Sequence, residues 1–212
     1  MRAVLVIDMQ DGMADRIRAG RMPVNPDAPD RIAALLAQAR GAGLPVIHVH
    51  HDDPHPDSPF RKGLPGAMPM PCALPLDGES VLWKHGSSAF AGTDLDFRLK
   101  ALGVTELVVA GAVAAFCVTS TVRMASDLGY TVLLPQDALL GFDLPAHDGG
   151  GDVGGLVVGG VALDDLAVAA DQELGEVPLH ALRPQDAWRL GSEPLPQRVG
   201  LASVDLDLAH HR

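Results

Sequence analysis

The sequence has few of the features that mark secreted or membrane-spanning proteins. Its two cysteines, Cys72 and Cys117, are too few for a disulfide framework. Its longest apolar runs are about ten residues, roughly half of what a membrane-spanning helix needs. The opening residues reach Asp8 too soon to form a signal peptide. These absences lead us to expect a protein of the reducing cytoplasm with no membrane partner.

The sequence also has fewer basic than acidic residues. Lysine and arginine total 16 against 27 aspartates and glutamates, which gives a formal net charge of −11. This balance argues against a nucleic-acid partner, because such proteins neutralise phosphates with clustered basic side chains. The acidic residues are dispersed and favour solubility. A chain of 212 residues, 47% of them hydrophobic, suits one globular domain with a sizeable core.

Strand and helix patterns alternate along the first two thirds of the chain. Short, continuous apolar runs predict strands over residues 3–8, 45–51, 80–84, 106–113 and 130–138. Amphipathic segments with capping residues and terminal glycines predict helices over 25–43, 93–103 and 117–129. Strands that are apolar on both faces are typical of parallel sheets covered by helices. We therefore predict a three-layer α/β/α fold around a doubly wound, mostly parallel sheet.

The pattern weakens after Ala138. The glycine-rich segment 147–160 is interpreted as a loop with one short strand, followed by a helix over 162–174 and an edge strand over 176–182. The proline-rich end looks loosely attached. We predict one domain over 1–182 and a C-terminal tail over 183–212.

Three reactive side chains fall at the carboxyl ends of predicted strands: Asp8, Lys84 and Cys117. Taken singly, each has an ordinary explanation, as a helix cap, a solvated lysine or a small buried hydrophobe. In a doubly wound sheet, however, these strand ends share one edge, where functional groups gather. Their common position predicts a reactive site.

The three residue types suit nucleophilic catalysis. A thiol at a helix N-terminus has its thiolate stabilised by free amides, and a nearby ammonium lowers its pKa further. A carboxylate beside it can take the thiol proton and return it to a leaving amine. We therefore expect Cys117 to be more reactive than Cys72, which has no helix start beside it.

Several segments together resemble the isochorismatase-like cysteine hydrolases. They are "VLVIDMQ", "VLWKHGSSAFAGTDLDFRL" and "LVVAGAVAAFCVTSTVRMASDLGYTVLLPQDA". The resemblance runs to about Phe142 and points to the amidohydrolase branch, which includes nicotinamidase and N-carbamoylsarcosine amidohydrolase. It implies that Asp8, Lys84 and Cys117 form a catalytic triad. It also implies a homo-oligomer and a small-molecule substrate, with no cofactor.

The resemblance carries further details of the site. It implies a cis peptide between Ala112 and Val113, and an oxyanion hole built from the amides of Val113 and Cys117. Many relatives have threonine where this chain has Ala114, so the substrate preference stays open. True isochorismatases lack the cysteine, so Cys117 favours hydrolysis of an amide-type C–N bond through a thioester over cleavage of a vinyl ether.

The walls of the substrate pocket are harder to predict. Four apolar side chains are candidates for lining it, although each is equally suited to the core: Met13, Phe90, Phe116 and Phe142. Two other functions remain open, one enzymatic and one non-enzymatic. One is a metal-dependent nicotinamidase-like amidase, and the other is a non-catalytic binding protein that retains the fold.

A metal site is not expected. Nicotinamidases of the family bind a divalent ion with Asp-x-His followed by a second histidine. Asp53 and His55 match the first part, but the place of the second histidine falls in "DSPF". Two ligands are fewer than the three or four that a metal ion needs.

Activity should therefore survive removal of metal ions. Dialysis against a strong chelator is expected to leave amide hydrolysis, measured as ammonia release, unchanged. A loss of activity that zinc, iron or manganese restores would instead favour the nicotinamidase interpretation.

Overall fold

A computed structural model describes residues 1–142 in full and, beyond them, the backbone of four two-residue strands. The helix, edge strand and tail predicted after residue 162 lie outside the described residues, as does the proposed domain boundary at 182. None of the described helices has the length and apolar character needed to cross a bilayer.

Strands and helices alternate through residues 1–142. The main sheet consists of β1 (Arg2–Ile7), β2 (Val46–His51), β3 (Ser80–Lys84), β4 (Glu106–Ala112), β5 (Thr131–Leu133) and β6 (Leu139–Leu140). The α-helices are α1 (Asp11–Arg18), α2 (Ala28–Gly41), α3 (Leu95–Ala101) and α4 (Thr119–Asp127). Short 3₁₀ turns cover Pro65–Ala67, Pro71–Ala73 and Gln136–Ala138, and a π-helical turn covers Ala114–Val118. Two antiparallel pairs follow, formed by β7 (Leu144–Pro145) with β8 (Asp152–Val153) and by β9 (Val157–Val158) with β10 (Val161–Ala162).

The main sheet confirms the predicted fold class. Its strands run in the order β3-β2-β1-β4-β5, with β6 beside the end of β4, and every pairing is parallel. The early strands of the chain lie at the centre and later ones extend the sheet to either side, as in a doubly wound fold. All carboxyl ends therefore meet at one edge.

Alternation along β1 divides the core into two layers. Leu5 and Ile7 join a buried cluster with side chains of α3 and α4 on one face of the sheet. Val4 and Val6 join the cluster on the opposite face, with the apolar side of α2. Because both faces of the central strands are covered, these strands are apolar throughout.

Helix boundaries differ from the predictions at both sides of the site. Helix α1 was not predicted, since its eight residues carry only a short apolar face among charged side chains. The helix predicted to start at Cys117 begins earlier, with the π-helical turn Ala114–Val118, and continues as α4 from Thr119. Cys117 therefore lies inside the first turn and not at its leading end.

A partly buried polar network anchors β2 to its neighbours. The Nε2 atom of His48 lies 2.9 Å from Oε2 of Glu79, and Arg40 donates two hydrogen bonds of 2.8 and 2.9 Å to the same carboxylate. Burial raises the pKa of Glu79, but these donors outweigh it and hold the pKa at about 2. His50 packs edge-on against Trp83, with 5.1 Å between the ring centroids. Both histidines thus have structural contacts on the opposite face of β2 from His51.

Gly111 allows β4 to approach β1 directly below the strand ends. It pairs with Ile7 and has a φ of 119°, which side-chain-bearing residues rarely adopt. A Cβ atom placed there would lie 2.1 Å from the carbonyl oxygen of Ile7. Asp8 follows immediately, so this glycine helps to fix where its carboxylate lies.

Replacing Gly111 by alanine should destabilise the protein strongly. Backbone strain and the clash with Ile7 together should lower the free energy of unfolding by about 3 kcal/mol or more. The matched control is Gly41→Ala, because Gly41 ends α2 with open space around its Cβ position. Urea unfolding of both variants tests the prediction, and equal stabilities would contradict it.

Candidate active site

The three predicted residues meet at the carboxyl edge of the sheet. Asp8 follows β1, Lys84 ends β3, and Cys117 lies in the π-helical turn after β4. The Nζ atom of Lys84 is 2.8 Å from Oδ2 of Asp8 and 3.2 Å from Sγ of Cys117. Asp8 has a φ of 50°, a left-handed conformation that is uncommon for non-glycine residues and recurs at functional sites.

Lys84 is fully buried and surrounded by acceptors. Besides Asp8 and Cys117, its Nζ atom contacts the carbonyl oxygen of Gly86 at 3.1 Å and Nδ1 of His51 at 3.3 Å. A buried ammonium is stable only when it is paired and hydrogen-bonded. These contacts explain why a lysine can end an apolar strand.

The carboxylate of Asp8 is poised to receive a proton. Burial raises its pKa above the usual range, while the ion pair and hydrogen bond with Lys84 partly offset that effect. Its second oxygen, Oδ1, is buried without a hydrogen-bond partner among the described residues. Asp8 is thus a stronger base than an ordinary carboxylate and has a free oxygen to use.

The expectation of a low thiol pKa was wrong. Burial is the largest effect on Cys117 and raises its pKa to about 11, and the negative charge of Asp8 adds to this rise. Lys84 acts in the opposite direction but does not overcome them. Cys72 also reaches about 11 through burial, so the resting thiols do not differ in the way expected. At neutral pH Cys117 is a thiol that needs a base.

The expected cis peptide is present between Ala112 and Val113, at the end of β4. The carbonyl of Val113 accepts a hydrogen bond of 2.9 Å from the amide of Phe116 as the chain enters the π-helical turn. The hydroxyl of Thr119 donates to the carbonyl of Ala114 at 2.7 Å, which fastens the same turn to α4. These contacts hold the backbone around Cys117 in place.

A cleft of about 480 Å³ opens onto Asp8 and Cys117, and its volume is suited to a small molecule. Its floor contains Asp8 and Cys117. The other lining residues include apolar and polar side chains. The apolar ones are Met13, Pro59, Phe60, Val113 and Phe116, and the polar ones are Arg16, His51, Asp53, His55, Asp57 and Ser58. We refer to this space as the cleft.

Half of the predicted pocket residues line the cleft. Met13 and Phe116 do so, and Phe116 is 51% exposed beside Cys117. Phe90 and Phe142 are instead buried in the two core clusters, where Phe90 stacks on Tyr130. The prediction was wrong for these two because apolar character alone does not distinguish a pocket wall from a core.

Two residues of the site were not predicted. His51 touches Lys84 and lines the cleft, and the fully buried Gln10 holds the backbone of His51. Strand alternation does place His51 on the opposite face from His48, which was the available signal. Gln10 follows the end of β1 by three residues and carries no comparable pattern.

The candidate metal ligands Asp53 and His55 both line the cleft. The side chain of Asp53 accepts a hydrogen bond of 3.1 Å from the backbone amide of His55, a local turn contact. Within residues 1–142 no three histidine, cysteine, aspartate or glutamate side chains come close enough to hold a metal ion.

Comparison with known proteins identifies the family. The sequence model of the isochorismatase domain matches residues 2–151, and the chain therefore belongs to the isochorismatase family of hydrolases. Streptothricin hydrolase from Streptomyces noursei is 37% identical over 155 residues, which cover 69% of this chain and 52% of that protein. The chain thus spans about half the length of this relative.

Solved structures agree with this assignment. An isochorismatase-family protein from Chromobacterium violaceum superposes with a TM-score of 0.68 and 39% identity, over 73% of this chain and 78% of its own. N-carbamoylsarcosine amidase from Thermoplasma acidophilum gives a TM-score of 0.58 and 28% identity, over 65% and 83%. The resemblance noted from sequence motifs is confirmed, and the relatives include hydrolases and an amidase.

Two neighbours should shift the pKa of the Cys117 thiol in opposite directions. Asp8→Asn removes a negative charge and should lower that pKa, whereas Lys84→Met removes the positive charge and should raise it. Thiolate absorbance near 240 nm, followed against pH in a Cys72→Ser background, measures both changes. Shifts of the same sign in the two variants would contradict the electrostatic account.

Proposed function

We propose that this protein is a cysteine hydrolase that cleaves an amide-type C–N bond in a small molecule. The observation that carries the proposal is the buried Lys84 ammonium, which contacts both the Asp8 carboxylate and the Cys117 sulfur. The geometry supports the proposal, because a thiol, a carboxylate and an ammonium lie within hydrogen-bond reach, and the thiol and carboxylate line a cleft of suitable size.

The first half of the reaction forms a thioester. Asp8 takes the proton from the Cys117 thiol through its free oxygen as sulfur attacks the carbonyl carbon. The resulting oxyanion is held by the amides of Val113 and Cys117. The C–N bond then breaks, and Asp8 returns the proton to the departing nitrogen, which leaves as ammonia or an amine. Lys84 keeps Asp8 in position and balances its charge.

The second half restores the enzyme. Asp8 takes a proton from a water molecule, whose oxygen attacks the thioester carbonyl. The C–S bond breaks, the acid product leaves, and the sulfur regains its proton from Asp8. The high thiol pKa supports this assignment, because a thiol that stays protonated requires a base in each cycle.

The relatives support a C–N bond as the target. One structural neighbour is named as an amidase of N-carbamoylsarcosine, and one relative as a hydrolase of streptothricin. The cleft offers both apolar and polar walls, so the screen for a substrate should cover primary amides, ureido compounds and lactams. Release of ammonia or amine is the readout.

Cys117→Ala should lose hydrolysis by at least about 1,000-fold, because no other group can form the acyl intermediate. Asp8→Asn should also lose most turnover, since an amide cannot shuttle a proton. Intact-protein mass spectrometry of the wild-type protein with a slow substrate should show an acyl adduct on Cys117.

The matched control is Cys72→Ala, because Cys72 lies outside the cleft residues. It should hydrolyse the same substrate at the wild-type rate. Full activity of Cys117→Ala would refute the mechanism. Ligands that raise the melting temperature without being hydrolysed would favour a binding protein that retains the fold.

A further inference from the structure

His51 lies between Lys84 and the cleft without a role in the reaction described above. Its Nδ1 atom is 3.3 Å from Nζ of Lys84, and its ring packs edge-on against Phe60 with 6.3 Å between the ring centroids. His51 is half-buried and lines the cleft. Its side chain thus contacts Lys84 and also borders the cleft.

The backbone of His51 is held by a buried amide side chain. The His51 amide donates to Oε1 of Gln10 at 2.8 Å, and Nε2 of Gln10 donates to the His51 carbonyl at 3.0 Å. The same Gln10 nitrogen donates to the carbonyl of Ala67 at 3.1 Å. Since Gln10 is fully buried, this paired contact fixes the end of β2 against the chain that leaves β1.

The contact with Lys84 determines which ring nitrogen carries hydrogen. A lysine ammonium has three donors and no acceptor, so a hydrogen on Nδ1 would point at another donor, and the contact favours an unprotonated Nδ1. Burial, together with the nearby charge of Lys84, lowers the pKa of His51 and favours the neutral ring. A neutral imidazole with an unprotonated Nδ1 carries its hydrogen on Nε2.

Nε2 of His51 has no hydrogen-bond partner within residues 1–142. The neighbouring carboxylates bind other donors: Asp52 accepts from the amide of Lys62 at 2.8 Å, and Asp53 accepts from the amide of His55 at 3.1 Å. The Nε2–H group is therefore a hydrogen-bond donor beside the cleft without a partner among residues 1–142.

We infer that His51 is a substrate-binding residue whose fixed Nε2–H group donates a hydrogen bond to an acceptor on the substrate. The inference rests on the proposed function for the position of the scissile amide near Cys117. It narrows the substrate class to small amides that carry a second acceptor close to that bond, such as a carbonyl, an ether oxygen or a heteroaromatic nitrogen. Lys84 thus orients both Asp8 and the residue that selects the substrate.

The tautomer can be tested without any substrate. Long-range ¹H–¹⁵N spectra of ¹⁵N-histidine-labelled protein at pH 7 distinguish the two ring nitrogens, and the signals that vanish in His51→Asn belong to His51. The expected pattern is a protonated Nε2 and an unprotonated Nδ1. An Nδ1–H tautomer, or a doubly protonated ring, would overturn the inference.

Two amide substitutions at position 51 distinguish the role of Nδ1 from the role of Nε2. In His51→Asn the side-chain oxygen can replace Nδ1 as the acceptor for Lys84, but nothing replaces the Nε2–H donor. In His51→Gln the longer side chain can bring an N–H group to the place of Nε2. With an amide found in the ammonia-release screen, the Asn variant should raise KM about three- to tenfold at near-constant kcat, as for one lost hydrogen bond.

The Gln variant should recover part of that loss, and this rescue distinguishes donation to the substrate from a purely structural role. The control is His85→Asn, because His85 is adjacent to Lys84 in sequence but 68% exposed and outside the cleft. Unchanged KM in the Asn variant, or equal loss in Asn and Gln variants, overturns the inference. Where the wild-type protein hydrolyses no amide, the proposed function fails and the NMR tautomer alone decides the case for His51.

Discussion

The burial of one positive charge constrains this structure more than any other interaction. Lys84 is fully buried, and removing an ammonium from water costs several kcal/mol unless close partners offset it. Its ion-pair partner Asp8 directly follows β1, whereas Lys84 ends β3, and β2 lies between these two strands. The ends of the three strands therefore have to lie at the same height in the sheet, and the close approach of β4 at Gly111 brings the turn with Cys117 to the same point.

The same burial gives the site its resting state. A dry environment disfavours charge on any isolated group, so it raises the pKa of both Asp8 and Cys117, and the single ion pair of Asp8 with Lys84 is the charged arrangement that fits. With a pKa of about 11, the Cys117 sulfur is then neutral near pH 7. Because the thiolate is the form that oxidants and alkylating agents attack, a neutral resting thiol is protected from side reactions.

The sequence predicted the parts of the fold that depend on strand patterning. The uninterrupted apolar runs that became β1, β2 and β4 signal strands covered on both faces, and their order along the chain brought Asp8, Lys84 and Cys117 to one edge. Helix α1 was missed because charged residues break its short apolar face. The direction of the thiol pKa was missed because burial depth and the distance to Asp8 arise only when separate segments pack.

The residues that line the cleft could not be predicted from the sequence for a similar reason. Phe116 and Phe90 have the same side chain, yet one lies beside the cleft and the other stacks on Tyr130 inside the core. Nothing local to either residue encodes that difference, which depends on the turn after β4. His51 could be assigned to a strand face by alternation, but its contact with Lys84 required the register between β2 and β3.

That register connects the site to folding. Strand β3 has five residues and lies at the edge of the described sheet, so its register is set by pairing with β2 alone. A slip of one residue would turn Lys84 to the opposite face, away from Asp8, and leave an ammonium buried without a counter-charge. Lys84 therefore favours the correct register, because a fold with β3 mispaired is destabilised by an unpaired buried charge.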